Sequence, residues 1–567
     1  MFKVKNSSVD IGYNSVKIPC RNGLVFEEGS QVVFDIPREI GMASLKEACI
    51  EMDININGSD NAPLLQLIKT NGAQSLFNRI SIRSQGRLLE QLDNYNLYSN
   101  LVYSASEDAG TLNRRSLCEG CAPDYKIQNN PFTTQNETVA AAAGALNNSN
   151  QTWRYVDRKV QIPILSGIFQ SSKDTPLMAL PLEIEIILEK SARCLYNDPN
   201  LNNALVCTDA AGVQDYVELV TAECAKFGVV GTGNQPAPDA KLNAIANLPF
   251  RVGQRVQVAK TGGIGTLVNA GKANIVSITE AVGLIRIGFA ADIVDGAATG
   301  LTLSALVNGV LAGDTAATGG LSVEPQTVSI QVKNPRLIIP KVIPPQAMMR
   351  AMGAAIAKGS YKYDIVSYTD YQTNIVGSTT NSTNIIPADL SRVKSLLCVP
   401  VEQVNLDRLD NIRAQQGRYM GADSYEYQIN NRMVPSRLVQ MTREAHGEFV
   451  AGAGNYIGVP SWANGTVLGA VHTYEVEKAL GDADIDVRNL KFLSRTHGNV
   501  VDEGYWLVGR TLGPYGMAEN LMGVSAILYL NYSGNNVNLK LLHNYCVHIR
   551  TVELGPQGVV LRYLFIF

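Results

Sequence analysis

Several short stretches of this 567-residue chain bring reactive side chains close enough in sequence to invite a chemical reading. Cys118-Glu119-Gly120-Cys121 is the one Cys-x-x-Cys. A structural zinc takes four ligands, usually from a second pair at a defined spacing. Cys20, Cys49, Cys194, Cys207, Cys224, Cys398 and Cys546 supply no such pair. A redox role would need a βαβ setting, which is missing around it. His543, Cys546 and His548, in "HNYCVH", offer three metal-ligating types. On a strand Cys546 and His548 share a face, His543 falls outside that alternation, and no acidic residue stands beside them. Ordinary strand residues are expected. Asp482, Asp484 and Asp486, in "DADID", open like a calcium loop. Val487 then stands where the loop needs Gly, and Leu493 where it needs a bidentate Glu. "GIGTLVNAGKA" resembles a phosphate loop, but Gly265 to Gly271 is one residue too long, and Ala273 replaces the Ser or Thr that would bind magnesium. Acidic pairs such as Glu183 and Glu185 lie on one exposed strand face. That leaves a glycoside-cleaving pair open, with no further residue in its support. The five histidines (His446, His472, His497, His543, His548) complete no nucleophile elbow or zincin motif. No catalytic, cofactor-binding or metal residue is assigned, and the chain is not expected to be an enzyme.

The bulk composition says what kind of frame carries these residues. At this length two or three domains are expected. Apolar residues make up 46% and charged residues 17%. That combination allows large cores and leaves little charge for the surface, so partners are expected to cover much of it. The net charge of -3 argues against gripping a nucleic-acid backbone, which needs a basic stripe. Arg79, Arg83 and Arg87 are therefore read as solvated strand edges or subunit contacts. The opening "MFKVKNSSVDIGY" has no apolar h-region, so no secretory signal is expected. No apolar run approaches the length of a membrane span. Nine scattered cysteines fit a reduced site of synthesis, and sequons such as Asn136, Asn381 and Asn464 are expected to stay bare.

Strands dominate the chain. In "ACIEMDINING" Ala48, Ile50, Met52, Ile54 and Ile56 fall on one face, with Cys49, Glu51, Asp53, Asn55 and Asn57 on the other; Asn57-Gly58 is then expected to turn. "PLEIEIILEK" repeats the pattern, with Leu182, Ile184, Ile186 and Leu188 inward and Glu183, Glu185 and Glu189 outward. "RKVQIPILSG", "QTVSIQVKNPRLIIP", "SLLCVPVEQV", "SAILYLNYSG", "NYCVHIRTVEL" and "GVVLRYLFIF" follow. Such density, punctuated by Gly, Asn and Pro, indicates sandwiches or barrels. Three helical stretches are expected. The first lies in "LDNYNLYSNLVYSASED", on the spacing of Leu92, Tyr95, Tyr98, Leu101 and Val102. The second lies in "PPQAMMRAMGAAIAKG". The third lies in "PSRLVQMTREAHGEFV", which begins at Pro435 and Ser436. Residues 128–150 read as a long exposed loop. Residues 197–324 turn rich in Gly, Ala, Val and Asp and read as an inserted β module, a small separate barrel. The stretches before Lys190 and after Tyr361 follow a similar order of elements, which indicates duplication.

The serial order of several motifs resembles that of major capsid proteins of the double jelly-roll type. Those of Polinton-like viruses and virophages are most similar; adenovirus hexon and nucleocytoplasmic large-virus capsid proteins are more distant. The residues carrying the resemblance are "LFNRISIRSQGRLLEQLDNYN" (Leu76 to Asn96), "VQIPILSGIF", "LPLEIEIIL" and "VKNPRLIIPKV" (Val332 to Val342). In the second half they are "SRVKSLLCVPV", "YQINNRMVPS", "GRTLGPYG" and "HNYCVHIRTVELGPQGVVLRY". The resemblance covers most of the chain outside 197–324, and its motifs are more diffuse than a catalytic signature.

It implies an all-β fold of two tandem jelly-roll β-sandwiches, a small inserted β module and a few short helices. The expected divisions are 1–196 (first jelly roll), 197–324 (tower module), 325–350 (last strand of the first jelly roll and linker) and 351–567 (second jelly roll). It further implies a homotrimeric, pseudo-hexameric capsomer that tiles an icosahedral shell around a DNA genome, made in the host cytoplasm and located in the virion. The implied partners are copies of itself, then penton and minor capsid or cement proteins, with a membrane or the genome against the inner face and no sequence-specific nucleic-acid binding. Arg79, Arg83 and Arg87 would meet neighbouring subunits or minor proteins. The rival classes are a penton or spike, a β-sandwich carbohydrate-binding protein, and a β-sandwich hydrolase using Glu183 or Glu185.

Overall fold

In the computed structural model the described residues are, apart from short breaks, 12–121, 158–221, 255–308, 323–402, 415–441, 470–488 and 507–562. The expected 128–150 loop, His446, His497, Asn136, Asn464 and Cys224 lie outside them.

Eight strands build a first lobe: β1 (Gly12–Pro19), β2 (Gln31–Ile36), β3 (Cys49–Gly58), β4 (Phe77–Ser84), β5 (Arg87–Leu92), β6 (Arg158–Pro163), β7 (Leu182–Leu188) and β8 (Val328–Ile343). One sheet runs β1-β8-β3-β6 and the other β2-β7-β4-β5. Eight more build the second lobe: β9 (Tyr361–Ile375), β10 (Asn381–Ile386), β11 (Val393–Glu402), β12 (Ala422–Ile429), β13 (Arg432–Gln440), β14 (Val508–Thr511), β15 (Ala526–Tyr532) and β16 (Lys540–Gly555). Its sheets run β9-β16-β11-β14 and β10-β15-β12-β13. Each lobe therefore sets its first, eighth, third and sixth strands in one sheet and its second, seventh, fourth and fifth in the other. That is the jelly-roll order, and it occurs twice.

Period-two patterning places these strands. In β3 Ile50, Met52 and Ile54 are buried, as are Leu182, Ile184, Ile186 and Leu188 in β7. Each such side chain contributes about 1.5–3 kcal/mol on burial. Strand β11 departs from alternation: Ser395, Leu396, Leu397, Cys398 and Val399 are all 1% exposed or less. Leu396 and Cys398 face the second lobe's interior, whereas Leu397 and Val399 join the core shared with the first lobe. A sheet covered on both sides needs apolar residues on both. The two lobes consequently share one core along this sheet.

Three helices matter. Helix α1 (Tyr95–Ser106) and helix α2 (Gln346–Ala357) fall where the apolar spacing puts them. The helix expected from Pro435 is instead strand β13 over Arg432–Gln440. Asn430 and Asn431 both adopt positive φ (47° and 59°), the backbone of a tight hairpin turn between β12 and β13. That turn dictates antiparallel pairing, with Ile429 opposite Arg432, and overrides the local helix signal. Helix α3 (Ala470–Asp482) was not expected; its Val476, Ala479 and Leu480 pack into the shared core. Asn57 and Gly58 do not turn, since both stay in β3 opposite Ser329 and Val328.

Between β7 and β8 lies a module with its own core, centred on Val217, Val258, Ile278, Ile287 and Leu303. Its sheet runs through Leu205–Val206, Thr302–Ala305, Arg255–Ala259, Lys272–Ala281, Leu284–Phe289 and Tyr216–Glu218. The two ends are joined by Thr208 N–H to Glu218 O (2.8 Å) and Val220 N–H to Val206 O (3.1 Å), which closes a small barrel. Among the described residues no helix is long and apolar enough to cross a membrane.

Candidate functional site

Many of the described residues with chemical potential are engaged in holding the fold. Cys121 is buried and Cys118 exposed. A Cβ on Gly72 would stand 2.7 Å from Cys121 Sγ and 2.6 Å from Glu119 O, so this loop is seated tightly against the turn at Gly72–Leu76. Beside it Arg115 pairs with Glu119 at 3.0 Å, both almost fully buried, and Arg115 lies over the Tyr103 ring at 3.4 Å. Among the described residues no three His, Cys, Asp or Glu side chains gather as a metal site.

On β16 the His548 ring uses both nitrogens. Nδ1–H donates to Cys546 O (3.0 Å) and Nε2 accepts from Arg550 Nε (2.8 Å). Burial, reinforced by the Arg550 charge, lowers its pKa to about 3, so the ring is neutral with no lone pair left for a metal. Burial pushes the Cys546 thiol up. His543 does have an acidic partner, supplied from β9 rather than from its own strand: Asp370 Oδ2 lies 2.8 Å from its Nδ1.

The aspartates of "DADID" diverge. Asp482 accepts from the Thr511 hydroxyl, Asp484 from Lys394 (2.9 Å), and Asp486 pairs with Arg488 (2.7 Å). In "GIGTLVNAGKA" the Lys260 amine donates to the carbonyls of Gly263 and Gly265. The loop therefore turns acceptors inward, the opposite of what a phosphate needs.

Glu183 and Glu185 sit in β7, opposite β2 and β4. Arg21 reaches Asp35 (2.9 Å) and Glu183 (3.4 Å), while Arg79 and Arg83 both reach Glu185 at 3.5 Å. The long arginine stems cover Glu185, leaving its side chain 10% exposed, so the expected open acidic face is a charge ladder within one sheet. Exposed pairs of this kind contribute little to stability. They do occupy the carboxylates that a hydrolase would need free. Arg79 and Arg83 thus meet their own sheet. Arg87 donates to Val559 O (2.7 Å), in the second lobe of the same chain.

That bond belongs to a continuous seam. Arg550 donates back across it to Leu89 O (3.0 Å). Asn94, held at φ 49°, donates to Asp370 (2.7 Å), the partner of His543. Tyr98 of α1 stacks on Tyr368 of β9 with centroids 3.9 Å apart, and Tyr545 packs on both at 5.3 and 5.2 Å. Gln415 bridges Asn71 (2.9 Å), Ser75 O (3.1 Å) and Arg193 O (3.1 Å). Gly167 lies so close that a Cβ would sit 2.3 Å from Val366 O. The polar groups of Arg87, Asn94, Arg550 and Gln415 find partners across the seam, and aromatic area fills much of the rest. The arrangement fixes two sandwiches rigidly side by side.

No family model matches the chain and no curated protein matches it. Among solved structures it is similar to a chain of the Sputnik virophage determined by cryo-EM. That likeness has a TM-score of 0.48 at 11% identity and covers 97% of this chain and 88% of that one. It is also similar to the Faustovirus major capsid protein (0.47, 9%, 98% and 92%) and to VP54 of PBCV-1, fitted into a reconstruction of Sputnik (0.46, 8%, 100% and 99%). The jelly-roll description of this chain rests on its own strand order, set out above.

Proposed function

We propose that this chain is a major capsid protein whose three copies form a pseudo-hexameric capsomer of an icosahedral, DNA-enclosing shell. The observation that carries the reading is the doubled strand order, with both jelly rolls locked along one shared core. The serial order of sequence motifs supports it independently. One subunit then offers two lobes of similar build, and three subunits around a threefold axis offer six, a near-hexagonal tile. Jelly rolls leave short sheet edges, which suits a particle that must not polymerise edge to edge. The barrel inserted between β7 and β8 would stand as an outward tower.

The corresponding divisions are 1–196, 197–324, 325–350 and 351–567. The chain's role is structural rather than catalytic. Its partners are its own copies, then penton and cement proteins, with a membrane or the genome on the inner face. It is made in the host cytoplasm and resides in the virion. Contacts within the trimer are expected to be permanent and to exceed about 2,000 Å². Negative-stain images of the purified chain test the reading: six-lobed, hexagonal particles are expected, and fivefold particles, the mark of a penton, or isolated two-lobed particles would overturn it.

A further inference from the structure

The seam between the lobes has a giving side and a receiving side. Lobe one gives the hairpin of its fourth and fifth strands. Gln85 and Gly86 turn with φ 50° and 78°, Ser84 pairs with Arg87, and Arg87 reaches Val559 O at 2.7 Å. Lobe two receives with the chain just past its eighth strand, where Gly558–Arg562 pairs back on the end of β16. Because the strand order occurs twice, each side has a counterpart in the other lobe. The fourth and fifth strands of lobe two, β12 and β13, turn through Asn430 and Asn431 at φ 47° and 59°, and Ile429 pairs with Arg432. Arg432 therefore holds the place of Arg87, as the first residue after a two-residue turn of positive φ. It pairs with Glu519 of its own lobe (2.9 Å), and its side chain is 65% exposed.

In lobe one the stretch past the eighth strand is helix α2. Both stretches open on a Pro-Gln step, Pro345-Gln346 and Pro556-Gln557. Met352 anchors α2 against Met42 and Val342, while Ile343 and Met348 stay 51% and 50% exposed. Covering these two side chains removes apolar area from water. The charges on the two counterparts are complementary: Arg350 is exposed on α2, and Glu519 stands beside Arg432. A contact between two different patches is heterologous, and such contacts close into a ring when the rotation fits. Six lobes in a ring alternate contacts within a chain with contacts between chains. The seam supplies the first kind, and its two open counterparts are suited to the second.

We propose that the seam is repeated between copies: the β12–β13 hairpin of one chain, led by Arg432, docks on the β8–α2 end of a second copy, at Ile343 and Met348. The inference rests on the trimeric reading above and adds which surfaces join. Mass photometry of the full chain tests it with Arg432→Glu and Met348→Asp, one on each side of the contact. Each is expected to weaken association by about tenfold or more, while the thermal transition of the subunit stays cooperative. A chain carrying both Arg432→Cys and Met348→Cys, treated with a short bismaleimide, is expected to give covalent trimers well beyond those of either single variant. Trimers unweakened by both charge substitutions, or cross-linking no greater in the double variant than in the singles, would overturn the inference and leave the trimer standing. An unsubstituted chain that does not associate would overturn both.

Discussion

His548 shows how a residue of chemical promise becomes structural. Its two ring nitrogens serve a carbonyl and a guanidinium, and that guanidinium in turn crosses the seam to Leu89 O. The cost of this arrangement is acid sensitivity. Burial lowers the pKa of His472 to about 4, and burial with the Arg550 charge lowers that of His548 to about 3, from an ordinary 6.5. In the unfolded chain both rings take up protons from about pH 6.5 downward; in the folded chain they do not until about pH 4 and about pH 3. The unfolded state therefore binds more protons in that window, and stability is lost as pH falls through it. Each ring contributes about 1.4 kcal/mol per pH unit. Denaturant midpoints measured from pH 7 to 4 should fall accordingly, and His548→Asn should flatten the slope. The engaged states of His548 and His543 could not be read from "HNYCVH", because Arg550, the partner of His548, stands just outside the motif and Asp370, the partner of His543, comes from another strand. That no second Cys-x-x-Cys stands in the sequence, by contrast, was legible in the spacing of the other seven cysteines.

At the scale of elements, the seam depends on close approach. Gly167→Ala would drive a methyl into Val366 O, and overpacking of this kind costs about 1–3 kcal/mol. A matching drop in the urea midpoint is expected, with faster hydrogen exchange in both β9 and the 164–170 stretch. Loss confined to lobe one would argue against a shared core. The inserted barrel is expected to behave differently, because among the described residues its core shares none with either lobe. Expressed as residues 197–324, it should fold alone and give a cooperative melt; a molten fragment would refute that boundary. The strands were legible wherever one face meets water, as in β3 and β7. The β13 strand was misread because Pro435 and Ser436 carry a helix-start signal while the hairpin signal sits in Asn430 and Asn431, an Asn-Asn rather than an Asn-Gly turn. Helix α3 was missed because its stripe of Val476, Ala479 and Leu480 is narrow and flanked by charge.

For the whole molecule, the duplication was visible in the order of motifs long before any single residue explained it. What the sequence could not display is which strand meets which across the seam. Arg87 and Val559, or Asn94 and Asp370, are far apart in the chain and bear no mutual mark. The physical consequence of the seam is a rigid pair of lobes, which the proposed closing of three copies into one tile requires. A charged fraction of 17% and a net charge of -3 leave the subunit little electrostatic repulsion to oppose that closure. The most direct test is the mass of the purified full chain by mass photometry across a dilution series. A single species at three times the 61.3 kDa subunit, persisting on dilution, is the predicted result; a species at one subunit mass, or at five, would contradict it.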